Sequence, residues 1–92
     1  MKKFTTYPIG LGINHSEQEV TIAHHWNQCI DEGVDPSSPI EVTEVRARNF
    51  EFKNYETGLS IVNTGHVEKV DGKWKLTEKA IKKCNDFLNK YQ

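Results

Sequence analysis

Apolar positions between residues 16 and 33 recur with a helical period. Ile22, Ala23, Trp26, Cys29 and Ile30 share one stripe, with His24, Asn27, Gln28 and Asp31 opposite. Ser16-Glu17-Gln18-Glu19 has the form of a capping box, and Gly33 supplies the left-handed residue that ends the helix. A second helix is expected from Ser38 as N-cap, with Pro39 at N1 and Glu41 at N3. Val42 and Val45 would face its core side, and Arg46 and Arg48 would lie near its end, where they suit the helix dipole.

The pattern from about 51 to 63 has two readings. Phe52, Tyr55, Leu59 and Val62, at spacings of three, four and three, predict a third helix ended by Gly65. Against it, Gly58 sits mid-helix at a cost of roughly 1 kcal/mol relative to Ala, and Ile61 points off the stripe. The rival is a hairpin that pairs Phe50–Lys53 with Leu59–Asn63 around Tyr55-Glu56-Thr57-Gly58. The clean stripe favours the helix.

Next comes a hairpin signal. Val67-Glu68-Lys69-Val70, Asp71-Gly72 and Lys73-Trp74-Lys75-Leu76 read as two strands about a turn that wants positive φ at both centres. Val67 would pair with Leu76, Lys69 with Trp74, and Glu68 with Lys75. Trp74 is expected to cover the core at the base of the hairpin, against the Lys69 stem, or else to sit exposed between two lysines as a nucleic-acid contact. A last helix begins at Thr77 as N-cap. Ile81, Cys84, Phe87, Leu88 and Tyr91 form its apolar stripe, and Lys79, Lys82, Lys83 and Lys90 line the other side, with Asp86 at four-residue spacing from Lys82 and Lys90.

The first fifteen residues mix turn formers with Phe4, Tyr7, Ile9, Leu11 and Ile13. They read as an N-terminal arm, packed on the body or swapped in a dimer, ahead of one domain over 16–92. Gly10-Leu11-Gly12 lacks the rest of a dinucleotide fingerprint. A chain of 92 residues has room for one core. It holds no apolar run near the ~18 residues that span a bilayer, and no apolar h-region follows Lys2 and Lys3. A cytoplasmic location is therefore expected, or a nuclear one if the host has a nucleus. Cys29 and Cys84 fall on apolar helix faces and are expected to stay free.

Charge changes the picture by its distribution. Net charge is −1, yet residues 1–45 carry two lysines against seven acids, and residues 46–92 carry ten bases against six acids. Such asymmetry points the second half toward an anionic partner, or else is a solvated pattern.

The stretch Leu59-Ser60-Ile61-Val62-Asn63-Thr64-Gly65-His66-Val67-Glu68-Lys69-Val70-Asp71-Gly72-Lys73-Trp74-Lys75-Leu76-Thr77-Glu78-Lys79-Ala80 resembles the end of a winged helix-turn-helix domain. In that superfamily a recognition helix ends at Gly, a wing strand and tight turn follow, and a Leu-Thr-Glu leads into the next helix. The resemblance covers 52–92, and 16–48 by order of elements. It implies a mainly α fold with a small β-hairpin, and a small DNA-binding regulator that is a homodimer in some versions. Helix 51–63 would enter the major groove and the 66–76 wing would touch the backbone. Lys53, Asn54, Thr57, Ser60 and Thr64 would face DNA from the helix, and Lys69, Lys73 and Lys75 from the wing. One departure stands out: within helix 51–63, Glu51 and Glu56 oppose Lys53, and that helix has no Arg to read guanine. The alternative role for such a fold is protein docking without DNA.

Other chemistry is sparse. His25 and Cys29 have a spacing that can grip one ion, but no nearby residues complete a four-ligand zinc set. No nucleophile–base order or paired carboxylates in a pocket suggest catalysis. Neither enzyme activity nor a cofactor or metal is expected.

Overall fold

In the computed structural model, residues 2–4 and 17–91 are described. The order is α1 (Glu17–Asp31), α2 (Glu44–Glu51), β1 (Val67–Val70), β2 (Lys73–Leu76) and α3 (Glu78–Tyr91). Three helices and a two-stranded antiparallel hairpin make a mainly helical α+β unit, consistent in general terms with a winged-helix-like architecture. Among the described residues, no helix is long and apolar enough to cross a membrane. The arm expected over 1–15 and the capping serine Ser16 lie outside the described residues, apart from 2–4.

α1 ends as its sequence implies. Gly33 takes φ 71°, Val34 N–H donates to the Cys29 carbonyl, and Gly33 N–H donates to that of Ile30. These are the two bonds of a Schellman motif. The buried face of α1 carries Ile22, Ala23, Trp26 and Cys29 as expected, and His25 as well. Residues 2–4 lie across it: Trp26 Nε1 donates to the Lys2 carbonyl, and Asn27 exchanges two hydrogen bonds with the Phe4 backbone.

The second helix starts later than expected. Thr43 is its N-cap, with Oγ1 accepting from Arg46 N–H at 3.2 Å. Ser38 instead sits in a turn, donating its N–H to the Asp35 carbonyl. Ile40 is extended and exchanges two backbone hydrogen bonds with Trp74, at 2.8 and 2.9 Å. Burying Ile40 and adding a ladder pair outweighs an extra helical turn built from β-branched residues. Val45, expected on the core side, is consequently exposed.

The hairpin has the expected register, Val67↔Leu76, Glu68↔Lys75 and Lys69↔Trp74. Asp71 and Gly72 take φ 50° and 80°, as a type I′ turn requires. α3 packs Ala80, Cys84 and Leu88 into the core. The Thr77 carbonyl accepts the first bond of α3 from Ile81, but its hydroxyl turns back to the Gly65 carbonyl. Phe50, wholly buried, lies 5.1 Å from the Trp74 ring and 5.4 Å from that of His25, joining α2 to the hairpin and α1. Cys29 and Cys84 are free and buried, and burial pushes their thiols up to about 11 and about 12.

Candidate interaction surface

The segment from 52 to 65 is where the structure overturns the expectation of a recognition helix over 51–63. α2 ends at Glu51, and Phe52 leaves it extended at φ −70°, ψ 128°. Asn54 then organises a turn: its Oδ1 accepts from the N–H groups of Glu56 (2.8 Å) and Thr57 (3.3 Å). Its carbonyl accepts from Gly58, and its own N–H donates to the Leu59 carbonyl. Gly58 sits at φ 73°, a conformation that favours glycine. Val62 N–H returns to the Phe50 carbonyl. The chain therefore reverses near the place the rival hairpin reading put its bend, without forming strands.

Only one helical turn of the expected helix survives, and it is capped at both ends. Ser60 and Asn63 exchange the bonds of a capping box: Ser60 Oγ accepts from Asn63 N–H at 3.1 Å, and Asn63 Oδ1 accepts from Ser60 N–H at 3.2 Å. At the other end Gly65, φ 79°, donates to Val62 while His66 N–H donates to the Ile61 carbonyl. That is the same pair of bonds that closes α1.

Four of the five residues expected to face DNA from this segment make hydrogen bonds that build it. Asn54 holds the turn, Thr57 Oγ1 accepts from Leu59 N–H, and buried Ser60 caps. Thr64 Oγ1 donates to the Ile61 carbonyl and lies 2.7 Å from His66 Nδ1. Lys53 is exposed. On the hairpin, Lys69 Nζ lies 5.6 Å from the centre of the Trp74 ring, so the core reading of that tryptophan holds: it is buried. Lys75 pairs with Glu68 at 3.7 Å, and Lys73 is exposed. Two of the lysines of α3 are similarly engaged, Lys82 with Asp86 at 2.7 Å and Lys79 with the Thr64 carbonyl.

What the segment shows to solvent is apolar. Phe52 is 71% exposed, Tyr55 93%, Leu59 45% and Val62 37%, whereas Ile61 is buried at 1%. The stripe that predicted a core-facing helix faces out, and the residue that broke the stripe faces in. Sequence reasoning therefore placed these four side chains in the core; Gly58 and the Asn54-to-Gly58 turn chemistry were the available signals against it.

Beside these side chains runs a groove of about 510 Å³ between the outer face of α1 and the 52–55 segment. Val20, Thr21 and His24 of α1, Asn49 of α2, and Phe52 and Tyr55 contribute to its walls. No Asp, Glu, Lys or Arg is among the described residues that line it. A smaller cavity of about 230 Å³ lies between α1 and α3 over Phe4, Ile22, Ala23, Cys84 and Phe87. No group of His, Cys, Asp and Glu arranged to hold a metal occurs among the described residues. His25 and Cys29 are both buried, and burial lowers the His25 pKa to about 4. Comparison with protein families, with curated proteins and with solved structures finds no match to this chain.

Proposed function

We propose that this domain is a protein-docking module of winged-helix type, without catalytic activity, and that the 52–62 segment is its contact face. The observation that carries the reading is the inversion of that segment. Its polar side chains are spent on holding the turn, and its large apolar ones are presented to solvent. Base readout needs hydrogen-bonding side chains aimed outward from a rigid element, whereas Asn54, Thr57, Ser60 and Thr64 each make hydrogen bonds to this segment's own backbone. Clustered aromatic and aliphatic side chains are instead what anchors protein interfaces.

The test places a photo-crosslinking amino acid at Tyr55 in the full chain, with Lys82 on α3 as control, in the native cell. The expected result is a protein adduct at position 55, absent at 82, and lost when Phe52→Ser and Leu59→Ser are combined. A parallel titration with random duplex DNA at low salt should show no saturable binding. The reading is overturned by absence of an adduct at 55, or by duplex binding that Lys73→Glu with Lys75→Glu abolishes while the two serine changes leave it intact.

A further inference from the structure

Apart from the groove and the 52–62 segment, three basic side chains come together where the 60–64 helical turn meets α3. Thr64 fixes two of them. Its hydroxyl donates to the Ile61 carbonyl at 2.9 Å and lies 2.7 Å from His66 Nδ1. A hydroxyl has one proton to give. With that proton on the Ile61 carbonyl, Thr64 Oγ1 accepts from Nδ1–H, and Nε2 is the nitrogen of this half-buried ring that gains or loses a proton. The Thr64 carbonyl accepts from Lys79 Nζ at 2.9 Å. An ammonium has three donors, so Lys79 keeps two for a ligand.

Lys83 stands four residues further along α3, the spacing that puts two side chains on one helix face. Both lysines are exposed. After desolvation, the charge of Lys83 and then that of Lys79 hold the His66 pKa below its ordinary value, which places both ammoniums within electrostatic reach of the ring. Glu19 of α1 is the acid that acts on the ring, and its opposing effect is the weakest of these. The neighbouring Lys82 is neutralised by Asp86. Positive charge is therefore in excess here in either state of the ring. With His66 protonated, the three cations outnumber the Glu19 carboxylate by two charges, close to the charge of a phosphate monoester at pH 7. Ammoniums donate and never accept, so the space they share suits an anion and not a metal ion. A diester backbone, with one charge per phosphate, leaves part of the excess standing.

We propose that Lys79, Lys83 and His66 bind a dianionic phosphate group, free or as a monoester. The anion stabilises the proton on Nε2, so binding takes up a proton and tightens as pH falls. The experiment records ¹⁵N–¹H spectra of the full chain at constant ionic strength during titration with inorganic phosphate, capped phosphoserine, sulfate and a dinucleotide diester. Sulfate keeps its charge between pH 6 and pH 8, so any pH dependence of its binding belongs to the protein. The expected result is saturable displacement of the Thr64, Gly65, His66, Lys79 and Lys83 signals, with sulfate bound several-fold more tightly at pH 6 than at pH 8. Lys83→Gln, a change at an exposed position, should lower affinity about tenfold with a well-dispersed spectrum, and His66→Gln should abolish the pH dependence. Whichever of phosphate and capped phosphoserine binds more tightly identifies the source of the group. Four results overturn the proposal: displacement that never saturates, equal affinity in Lys83→Gln, sulfate binding that ignores pH, or a diester bound as tightly as phosphoserine. The site shares no residue with the proposed contact face, so its failure leaves the docking reading untouched.

Discussion

His25 is the residue with the least company for its chemistry. It is fully buried against Phe50, and among the described residues neither ring nitrogen makes a hydrogen bond of good geometry, the Trp74 backbone offering at most a weak one. Desolvation, reinforced by the Arg46 charge and opposed weakly by the Trp74 backbone, lowers its pKa from 6.5 to about 4. The folded state therefore resists protonation that the unfolded chain accepts. Stability is fully present above about pH 6.5 and is lost as pH falls toward 4, by on the order of 2–3 kcal/mol. Arg46, part-buried and bonded to Gln28, is the charge from α2 nearest this ring chemistry, and the half-buried His66, also lowered, adds a smaller loss of the same sign. Urea unfolding of the wild type and His25→Leu at pH 7 and pH 4.5 checks this. The variant is expected to equal or exceed the wild type at pH 7, because it removes two unsatisfied buried nitrogens, and to lose less on acidification. An identical acid slope in both proteins contradicts the assignment.

At the scale of elements, legibility followed the strength of local chemistry. α1, the hairpin with its register, and α3 were readable because a stripe or an alternation ran unbroken through each, supported by Gly33 at the end of α1 and by Asp71-Gly72 at the turn. The start of the second helix was placed five residues early because the Ser38-Pro39-Ile40-Glu41 box is a sound local signal. A long-range contact, the Ile40–Trp74 pairing, overrode it. In the third case the local signals conflicted. The 3-4-3 spacing of Phe52, Tyr55, Leu59 and Val62 outweighed Gly58 in the reading, whereas in the fold the Asn54 turn and Gly58 prevailed. Of the residues expected at the site, Lys53, Thr57, Lys69 and Lys73 are exposed, Asn54, Thr64 and Lys75 are half-buried, the last paired with Glu68, and Ser60 is buried.

The element reading has a sign test. In a helix, Gly58→Ala stabilises by about 1 kcal/mol. In the observed turn, with φ 73° and no atoms crowding an added Cβ, the cost is backbone strain alone, so the same change destabilises by about 1–2 kcal/mol. Denaturant midpoints of the two proteins separate these outcomes.

For the whole molecule, the charge asymmetry between the halves does not resolve into a binding face. Five of the ten basic residues of the second half, Arg48, Lys69, Lys75, Lys79 and Lys82, are engaged in ion pairs at Glu44, Glu68 and Asp86, a ring contact at Trp74 and a carbonyl at Thr64. The uncharged groove and the apolar side chains beside it are the coherent feature of the surface. Order of elements alone gives a winged-helix-like outline; what the module does depends on which side chains the 52–65 segment turns outward. Carbon-13 secondary shifts across Phe52–Gly65 measure that most directly. The account predicts non-helical shifts from Phe52 to Leu59 and helical values confined to one turn from Ser60 to Thr64. An unbroken run of helical shifts from Glu51 to Asn63 would contradict it and restore a recognition helix.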